Sequence, residues 1–249
     1  FLFCRPIMKK ATHLLLLIAV LALASCRDKQ PAEKAPTVPK DHTQEVAANV
    51  ARLISSAQDG DLVVRLNDDI LSSQLRFFND SDKTFSHSGI VISRGGRKLV
   101  CSILPGPPGT NPMVYSPIDS FVDPNTNVVC ALFRYDLQPS ERAAFVANIE
   151  ELSNQRIFFD STVNIRTDDS LYCSEMIYKT LNRATKNRLP FKLEPIPVKM
   201  QPTVYKFYRG RFSRDSIAAR RMIYIDNLYR IPQCRELMRF RLKYFPEDE

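Results

Sequence analysis

Residues 85–92, FSHSGIVI, form the stretch on which the fold assignment depends. Its apolar, β-branched second half favours a β-strand. Because side chains alternate along a strand, His87, Gly89 and Val91 share one face, and the residues between them share the other. Gly89 carries no side chain, so it leaves room beside the His87 imidazole on that face.

Further strands are predicted on both sides of this stretch. Residues 98–103 form a second β-rich run, and the Gly pair within 93–97 predicts a tight hairpin between the two runs. Apolar runs at 61–66 and 127–135 predict two more strands. Alternation of apolar and basic residues predicts a half-buried strand over 238–244, near the C-terminus.

Helices are predicted between the strands, at 43–56, 68–78, 139–152 and 171–184. In the second of these, Ile70, Leu71, Leu75 and Phe78 recur at helical spacing. Helices combined with antiparallel hairpins in one compact chain predict an α+β fold, a small antiparallel sheet or partial barrel packed against helices.

The composition excludes several classes of enzyme. The chain has 249 residues, of which 44% are hydrophobic and 25% charged, which is typical of a folded protein. None of the 7 glycines forms a dinucleotide-binding or P-loop motif, and the 3 histidines do not form the zinc motif H-E-x-x-H. We therefore predict no metal and no cofactor.

The N-terminal region has the features of a bacterial export signal. Met8 is the expected start, Lys9 and Lys10 form a basic segment, and residues 14–24 are an unbroken apolar run. That run is too short to span a bilayer but suits a signal peptide. It ends in LASC at 23–26, which resembles a lipobox.

The lipobox predicts cleavage and lipid modification at Cys26; the alternative is an ordinary secretory signal with a chance cysteine. Residues 1–26 are thus upstream residues plus the lipoprotein signal, 27–42 a disordered tether, and 43–249 the folded domain. The expected location is the cell envelope, with a lipid anchor in the membrane.

Basic residues are concentrated near the C-terminus. The whole chain has a formal net charge of +8, and residues 206–243 contain 11 Lys and Arg against Asp215, Asp226 and Glu236. This pattern suits either a solvated face or a surface that docks on anionic lipid or envelope polymer. It does not predict nucleic-acid binding.

One histidine is available to the predicted domain as a base. His13 lies in the signal and His42 in the tether, so an imidazole base would have to be His87. The alternative is a hydrogen-bonded structural histidine.

Cys173 is the candidate nucleophile. Cys101 and Cys130 lie in apolar strands and Cys234 near the last strand, whereas Cys173 falls in the first turn of a helix with Asp169 and Ser170 as candidate N-caps. Unpaired N–H groups and the helix dipole favour a thiolate there, and the backbone N–H groups of Cys173 and Ser174 are suited to an oxyanion. The alternative is a disulfide, since Cys101 and Cys130 are a possible pair in an oxidising compartment.

Three motifs together resemble a known family. Gly60-Asp61-Leu62, the segment 86–91 (SHSGIV) and the segment 171–178 (LYCSEMIY) are similar, in this order, to the circularly permuted NlpC-type, papain-like cysteine hydrolases of the YiiX-like group. The similarity covers roughly residues 58–185. It implies a permuted papain-like fold with Cys173 as nucleophile and His87 as base.

The sequence departs from that family at the third catalytic position. The family has a polar group that orients the imidazole on the strand after the histidine, where this chain has Cys101, with Ser102 beside it. A thiol orients an imidazole poorly. The imidazole could instead be oriented by Ser102, Asp160 or Asn164. A further alternative is that the chain is a non-catalytic member of the family.

The resemblance implies an envelope thiol hydrolase that cleaves an amide bond, in a cell-wall peptide or a similar substrate, through an acyl-enzyme on Cys173. Two alternatives remain open at this point. One is a lipid-directed thioesterase or acyltransferase on the same site, and the other is a non-catalytic lipoprotein.

Overall fold

The computed structural model describes residues 40–107, 109–207 and 211–244. The predicted signal, the lipidation site Cys26 and most of the predicted tether lie outside the described residues.

Six strands form one antiparallel sheet, and two short strand pairs lie beside it. The strands are β1 (Leu62–Asn67), β2 (His87–Arg94), β3 (Arg97–Ile103), β4 (Met113–Pro117), β5 (Asn127–Tyr135), β6 (Phe158–Phe159), β7 (Ser170–Leu171), β8 (Glu194–Pro195), β9 (Arg221–Met222) and β10 (Cys234–Arg241). The sheet order is β10-β5-β1-β2-β3-β4, so β10 and β4 form its edges. The pairing of β10 with β5 shifts register between Glu236 and Met238.

Helices pack on both faces of this sheet. They are α1 (Lys40–Ser56), α2 (Ile70–Leu75), α3 (Ile118–Phe121), α4 (Pro139–Ser153), α5 (Cys173–Thr185), α6 (Gln201–Phe207), α7 (Arg214–Ala218) and α8 (Ile225–Tyr229), and a 3₁₀ turn (Arg76–Phe78) follows α2. Among the described residues, no helix is long and apolar enough to cross a bilayer. The architecture is a mixed one with an antiparallel sheet, in agreement with the predicted α+β class.

Each face of the sheet buries its own apolar cluster. On one face, Ile90 and Ile92 of β2 belong to a cluster that includes Met176 and Ile177 of α5. On the other face, Val91 of β2 joins a cluster with residues of α1 and α3. The central strands are therefore apolar at consecutive positions, which is why their sequences are nearly continuous apolar runs.

The predicted starts of the first helix and of the helix that carries Cys173 differ from the structure, and the last strand is β10 (Cys234–Arg241) in place of 238–244. The first helix begins at Lys40, so His42 belongs to α1 and not to a tether, and its ring lies 4.1 Å from the Tyr244 ring. The helix of the candidate nucleophile begins at Cys173, because 170–171 pair with β6 as a short parallel strand. Its N-cap is Tyr172, and neither Asp169 nor Ser170 has that role.

The predicted hairpin is confirmed at the turn between β2 and β3. Gly95 and Gly96 have φ angles of +55° and +75°, a left-handed conformation that glycine adopts without strain. Two consecutive residues of this kind are typical of the tight turns whose twist matches that of the strands.

No disulfide forms among the described cysteines, all four of which are free. Cys101 belongs to the cluster on the α5 face of the sheet, and Cys130 to the cluster on the α1 face. Strands β2 and β1 separate their strands, β3 and β5. The alternative of a Cys101–Cys130 bridge is therefore wrong.

The Gly60-Asp61 pair fixes the start of β1. Gly60 has a φ of +81°. The fully buried Asp61 carboxylate accepts two hydrogen bonds from Arg134, from Nε at 2.8 Å and from Nη2 at 2.7 Å, and a third from the backbone N–H of Gln58 at 2.8 Å. This ion pair joins β1 to the neighbouring strand β5.

Candidate active site

The start of α5 holds the Cys173 thiol in a fixed position. Cys173 is the first residue of the helix, directly after Tyr172. The backbone of Ile223 secures this end from both sides: its N–H donates to the Tyr172 hydroxyl at 2.9 Å, and its carbonyl accepts from the Ser174 hydroxyl at 2.9 Å. The thiol position is thus set by both side chains that flank it.

The thiol is half-buried, and two opposing effects act on its proton. Burial raises the pKa of Cys173 above its ordinary value. The Ser88 hydroxyl and N–H, together with the N–H groups of Ser174 and Cys173, act in the opposite direction because they favour the anion. Burial is the larger effect, so the free protein holds Cys173 as a thiol at neutral pH, and a base is needed to activate it.

His87 occupies the first position of β2 and faces α3. It is buried, and its ring lies 5.6 Å from the Phe121 ring. Across the strands it pairs with Arg65, whose guanidinium lies 4.1 Å over the same Phe121 ring and donates to the Phe121 carbonyl at 2.7 Å. Burial, and then the Arg65 cation, lower the pKa of His87 to about 3, so the imidazole is neutral at pH 7.

The His87 Nε2 atom is buried and has no hydrogen-bond partner. Such an atom is uncommon in folded proteins, because a buried polar group without a partner loses its hydration and gains nothing in return. The alternative of a hydrogen-bonded structural histidine therefore finds no support at Nε2.

The structure brings Cys173 beside Ser88 and not beside the His87 imidazole. The thiol approaches the hydroxyl and N–H of Ser88 on the α5 face, whereas His87, one residue earlier, faces Phe121 on the opposite side of β2. His87 and Ser88 face opposite sides because successive side chains alternate along a strand. Among the described residues, no thiol–imidazole hydrogen bond joins the two predicted catalytic residues.

The two candidates for the third position lie on different faces of β3. Cys101 faces the α5 side next to Tyr115, and burial raises its pKa to about 12. It points away from His87 and cannot orient the imidazole. Ser102 shares the face of Gly89: a Cβ built at Gly89 would lie 3.2 Å from that of Ser102. Only Ser102 of the two is on the His87 side.

Asp160 and Asn164, the remaining candidates, are engaged with each other. The Asp160 carboxylate accepts from the Thr162 N–H and hydroxyl, both at 2.7 Å, and from the Asn164 N–H at 2.5 Å. These bonds close the loop after β6. The structure assigns Asp160 to the stability of that loop.

The sequence analysis gave no role at the site to two residues that lie near it. Arg65 was hidden in an apolar strand, and its only sequence signal is a charge inside the run DLVVRL. Asp226, almost fully buried on α8, accepts from the backbone N–H groups of 80–82 at 2.8 to 3.2 Å. Those residues belong to the segment that leads into β2, so α8 helps to position His87.

One cavity beside α5 does not include the candidate nucleophile in its lining. This cavity, of about 600 Å³, lies between α4 and α5 and is lined by Asn148, Tyr178 and Lys179 among others, but not by Cys173 or His87. Within the described residues, no group of three or more His, Cys, Asp and Glu side chains is arranged to hold a metal ion.

Protonation of His87 is expected to oppose folding at acid pH. The folded-state pKa of about 3 lies below the unfolded value of about 6.5, so between these pH values only the unfolded chain binds the proton. The free energy of unfolding should fall as the pH drops through this window, by at most about 1.4 kcal/mol per pH unit. Urea unfolding at a series of pH values measures this loss, which His87→Gln should remove.

His42→Gln is the matched control, because it removes an imidazole from α1 and should leave the acid-induced loss unchanged. Arg65→Met takes away the neighbouring cation, so it should raise the folded-state pKa of His87, narrow the pH window from its acid end and make the total loss smaller. Identical pH profiles for the parent protein and His87→Gln would contradict the assignment of a neutral, buried His87.

Comparison with known proteins supports the fold. No protein-family model matches the chain, and no curated protein matches it. A crystal structure described as metalloprotein yiiX from Escherichia coli O157:H7 matches with a TM-score of 0.56 and 16% sequence identity, over 73% of this chain and 97% of that chain. At this identity the match shows a shared fold and nothing of the chemistry.

Proposed function

We propose that this protein is a thiol hydrolase of the cell envelope that forms an acyl-enzyme on Cys173. The observation that carries the proposal is the position of Cys173 as the first residue of α5, half-buried, with the N–H groups of Cys173, Ser174 and Ser88 around its sulfur. An amide bond of a cell-wall peptide, or of a similar substrate, is the proposed target.

The proposed reaction begins with transfer of the Cys173 proton to the neutral His87 imidazole. The thiolate attacks the amide carbonyl and forms the carbon–sulfur bond, while the N–H groups of Cys173 and Ser174 hold the oxyanion. The imidazolium returns the proton to the leaving amine as the carbon–nitrogen bond breaks. Water, deprotonated by the imidazole, then attacks the thioester, and the carboxylic acid leaves with regeneration of the thiol.

The first step requires a rearrangement at the start of β2. His87 and Cys173 lie on opposite sides of the strand, so residues 86–88 must move when the substrate enters. Nε2 would thereby gain the partner that it lacks in the free protein. The low pKa of the buried imidazole would also rise as water and a developing charge reach it.

Two other functions are each favoured by one observation. Exposed apolar residues on α2 favour a lipid acyl ester as substrate, which would make the protein a thioesterase or acyltransferase on the same site. The separation of the thiol from the imidazole favours a non-catalytic lipoprotein that keeps the fold. Retention in the envelope by a lipid on Cys26 is part of all three proposals.

Product analysis distinguishes these functions. The purified protein is incubated with muropeptides and, separately, with phospholipids, and the products are identified by mass spectrometry. Cleavage of a muropeptide amide by the parent protein but not by Cys173→Ala is the expected result. Release of fatty acid or its transfer to an acceptor would favour the lipid substrate, and no product from either mixture would favour the non-catalytic function.

A further inference from the structure

The segment after β1 exposes a cluster of large apolar side chains. Ile70 and Leu71 of α2 are 84% and 65% exposed, Leu75 is 41% exposed, and Phe77 of the following turn is 40% exposed. We call these four residues the α2 patch. The helical spacing predicts an apolar face that packs on the core, yet α2 buries none of its residues. Adjacent exposed apolar residues of this kind are typical of a binding surface.

Local interactions hold α2 in this exposed position. The N-cap Asp69 accepts from the Ser72 N–H at 2.8 Å and from the Ser72 hydroxyl at 2.7 Å. The helix therefore has a stabilised first turn although its apolar side chains contact solvent. The patch is a formed surface, and no folding event is required to present it.

The α2 patch lies at the end of the fold where the N-terminal segment joins. Asp68, two residues before the patch begins, forms an ion pair with Lys243. The next residue, Tyr244, contacts the ring of His42, which lies in the first turn of α1. The 39 residues that precede α1, with the predicted lipidation site Cys26, are therefore attached close to the patch.

We infer that the α2 patch inserts into the phospholipid surface of the membrane that the N-terminal segment reaches. Four apolar side chains offer too little area for a stable protein interface, which buries about 800 Å² on each partner. They suit shallow insertion at the boundary of headgroups and acyl chains. Arg76 lies at the edge of the patch, 5.2 Å over the Phe77 ring, where a guanidinium can meet lipid phosphates.

Insertion of the patch would bring the candidate active site close to the membrane. Asp69, which caps α2, interacts electrostatically with Arg65, and Arg65 is the cross-strand partner of His87. The docked end of the molecule is thus the end of the sheet that carries His87. Docking itself depends on neither Cys173 nor His87, so it is independent of the proposed reaction.

Single tryptophans test the inference directly, because the chain contains no Trp. Leu71→Trp and Val198→Trp are each introduced into full-length protein carrying Cys26→Ala, which removes the predicted lipidation site. Val198 is 79% exposed and lies outside the patch, so it is the matched control. With vesicles of phosphatidylethanolamine and phosphatidylglycerol, we expect a blue shift and quenching by brominated lipid for Trp at 71, and neither effect at 198. No shift at 71 would overturn the inference.

Partitioning of the same Cys26→Ala protein onto these vesicles provides a second measurement. The double variant Ile70→Ser, Leu71→Ser should lower the vesicle partition coefficient by at least about tenfold per side chain, since each loses the free energy of burying one large apolar group. Val198→Ser should bind like the parent. Both patch residues are exposed, so the thermal unfolding temperature should not change. Equal binding by the double variant would contradict the inference.

Two further outcomes separate this inference from its alternatives. If the emission of Trp at 71 shifts with protein concentration in the absence of vesicles, the patch is an interface between copies of the chain and the lipid inference fails.

Cys173→Ala in the Cys26→Ala background should bind vesicles as the parent does, even if the proposed hydrolase activity is never found. Loss of vesicle binding on Cys173→Ala would contradict the independence of docking and reaction.

Discussion

Cys173→Ala is expected to abolish iodoacetamide labelling at neutral pH among the four cysteines that the structure describes. Burial raises the pKa of the Cys173 thiol, but four hydrogen-bond donors at the helix N-terminus oppose that rise because they favour the anion. Burial raises the pKa of Cys101 and of Cys130 to about 12, and neither thiol is exposed. Peptide mapping by mass spectrometry after timed alkylation should therefore show modification at Cys173 in the parent protein, and at none of Cys101, Cys130 and Cys234 in either protein.

Cys234→Ala is the matched control for this experiment. Cys234 is also half-buried, but it lies at the start of β10, and burial raises its pKa well above the ordinary value. Its removal should leave labelling unchanged, whereas persistent labelling of Cys173→Ala would refute the nucleophile assignment. His87→Gln adds a second reading: a shift of the alkylation profile to higher pH would show that the imidazole reaches the thiol, and an unchanged profile would favour the non-catalytic function.

Asp61→Asn is expected to cause the largest loss of stability. The variant keeps the shape of the side chain but removes the charge that pairs with Arg134, which is itself mostly buried. Removal of one partner from a buried ion pair typically lowers the free energy of unfolding by about 3–5 kcal/mol, because the remaining charge stays without compensation. Urea unfolding at pH 7 measures the difference.

Asp119→Asn is the control for Asp61, because Asp119 lies in the first turn of α3 and is exposed. Its expected effect is at most about 1 kcal/mol, the usual range for a surface charge. A loss as small as this for Asp61→Asn would mean that the ion pair between β1 and β5 contributes little to the fold.

The central strands and the hairpin could be predicted from the sequence because their burial is so complete, whereas the edge strand β4 was not predicted. The central strands pack on both faces, so β-branched and apolar residues fill consecutive positions, and the Gly95–Gly96 turn is set by local backbone geometry. The predicted start of α4 agrees with the structure, because Pro139 suits the first position of a helix and not its interior. The predicted end of α4 differs from the observed one by one residue.

The arrangement of the candidate site could not be predicted in the same way. Alternation along 87–92 shows that His87 and Ser88 face opposite sides, but it does not show on which side α5 packs. That side is decided by the contact of Met176 and Ile177 with Ile90 and Ile92, which is a tertiary interaction. Likewise, the periodicity of α2 identified its apolar residues but not the absence of a layer above them.

The edge strand β10 has a consequence for behaviour in concentrated solution. An uncovered strand edge is a template on which another chain can add by backbone pairing, the first step toward fibrous aggregates. Here the edge carries the exposed Arg235, and the register shift after Glu236 interrupts its regular ladder. The Arg235 charge repels the same residue of an identical incoming strand, and the irregularity denies that strand a continuous row of partners, so β10 discourages polymer growth at this side of the molecule.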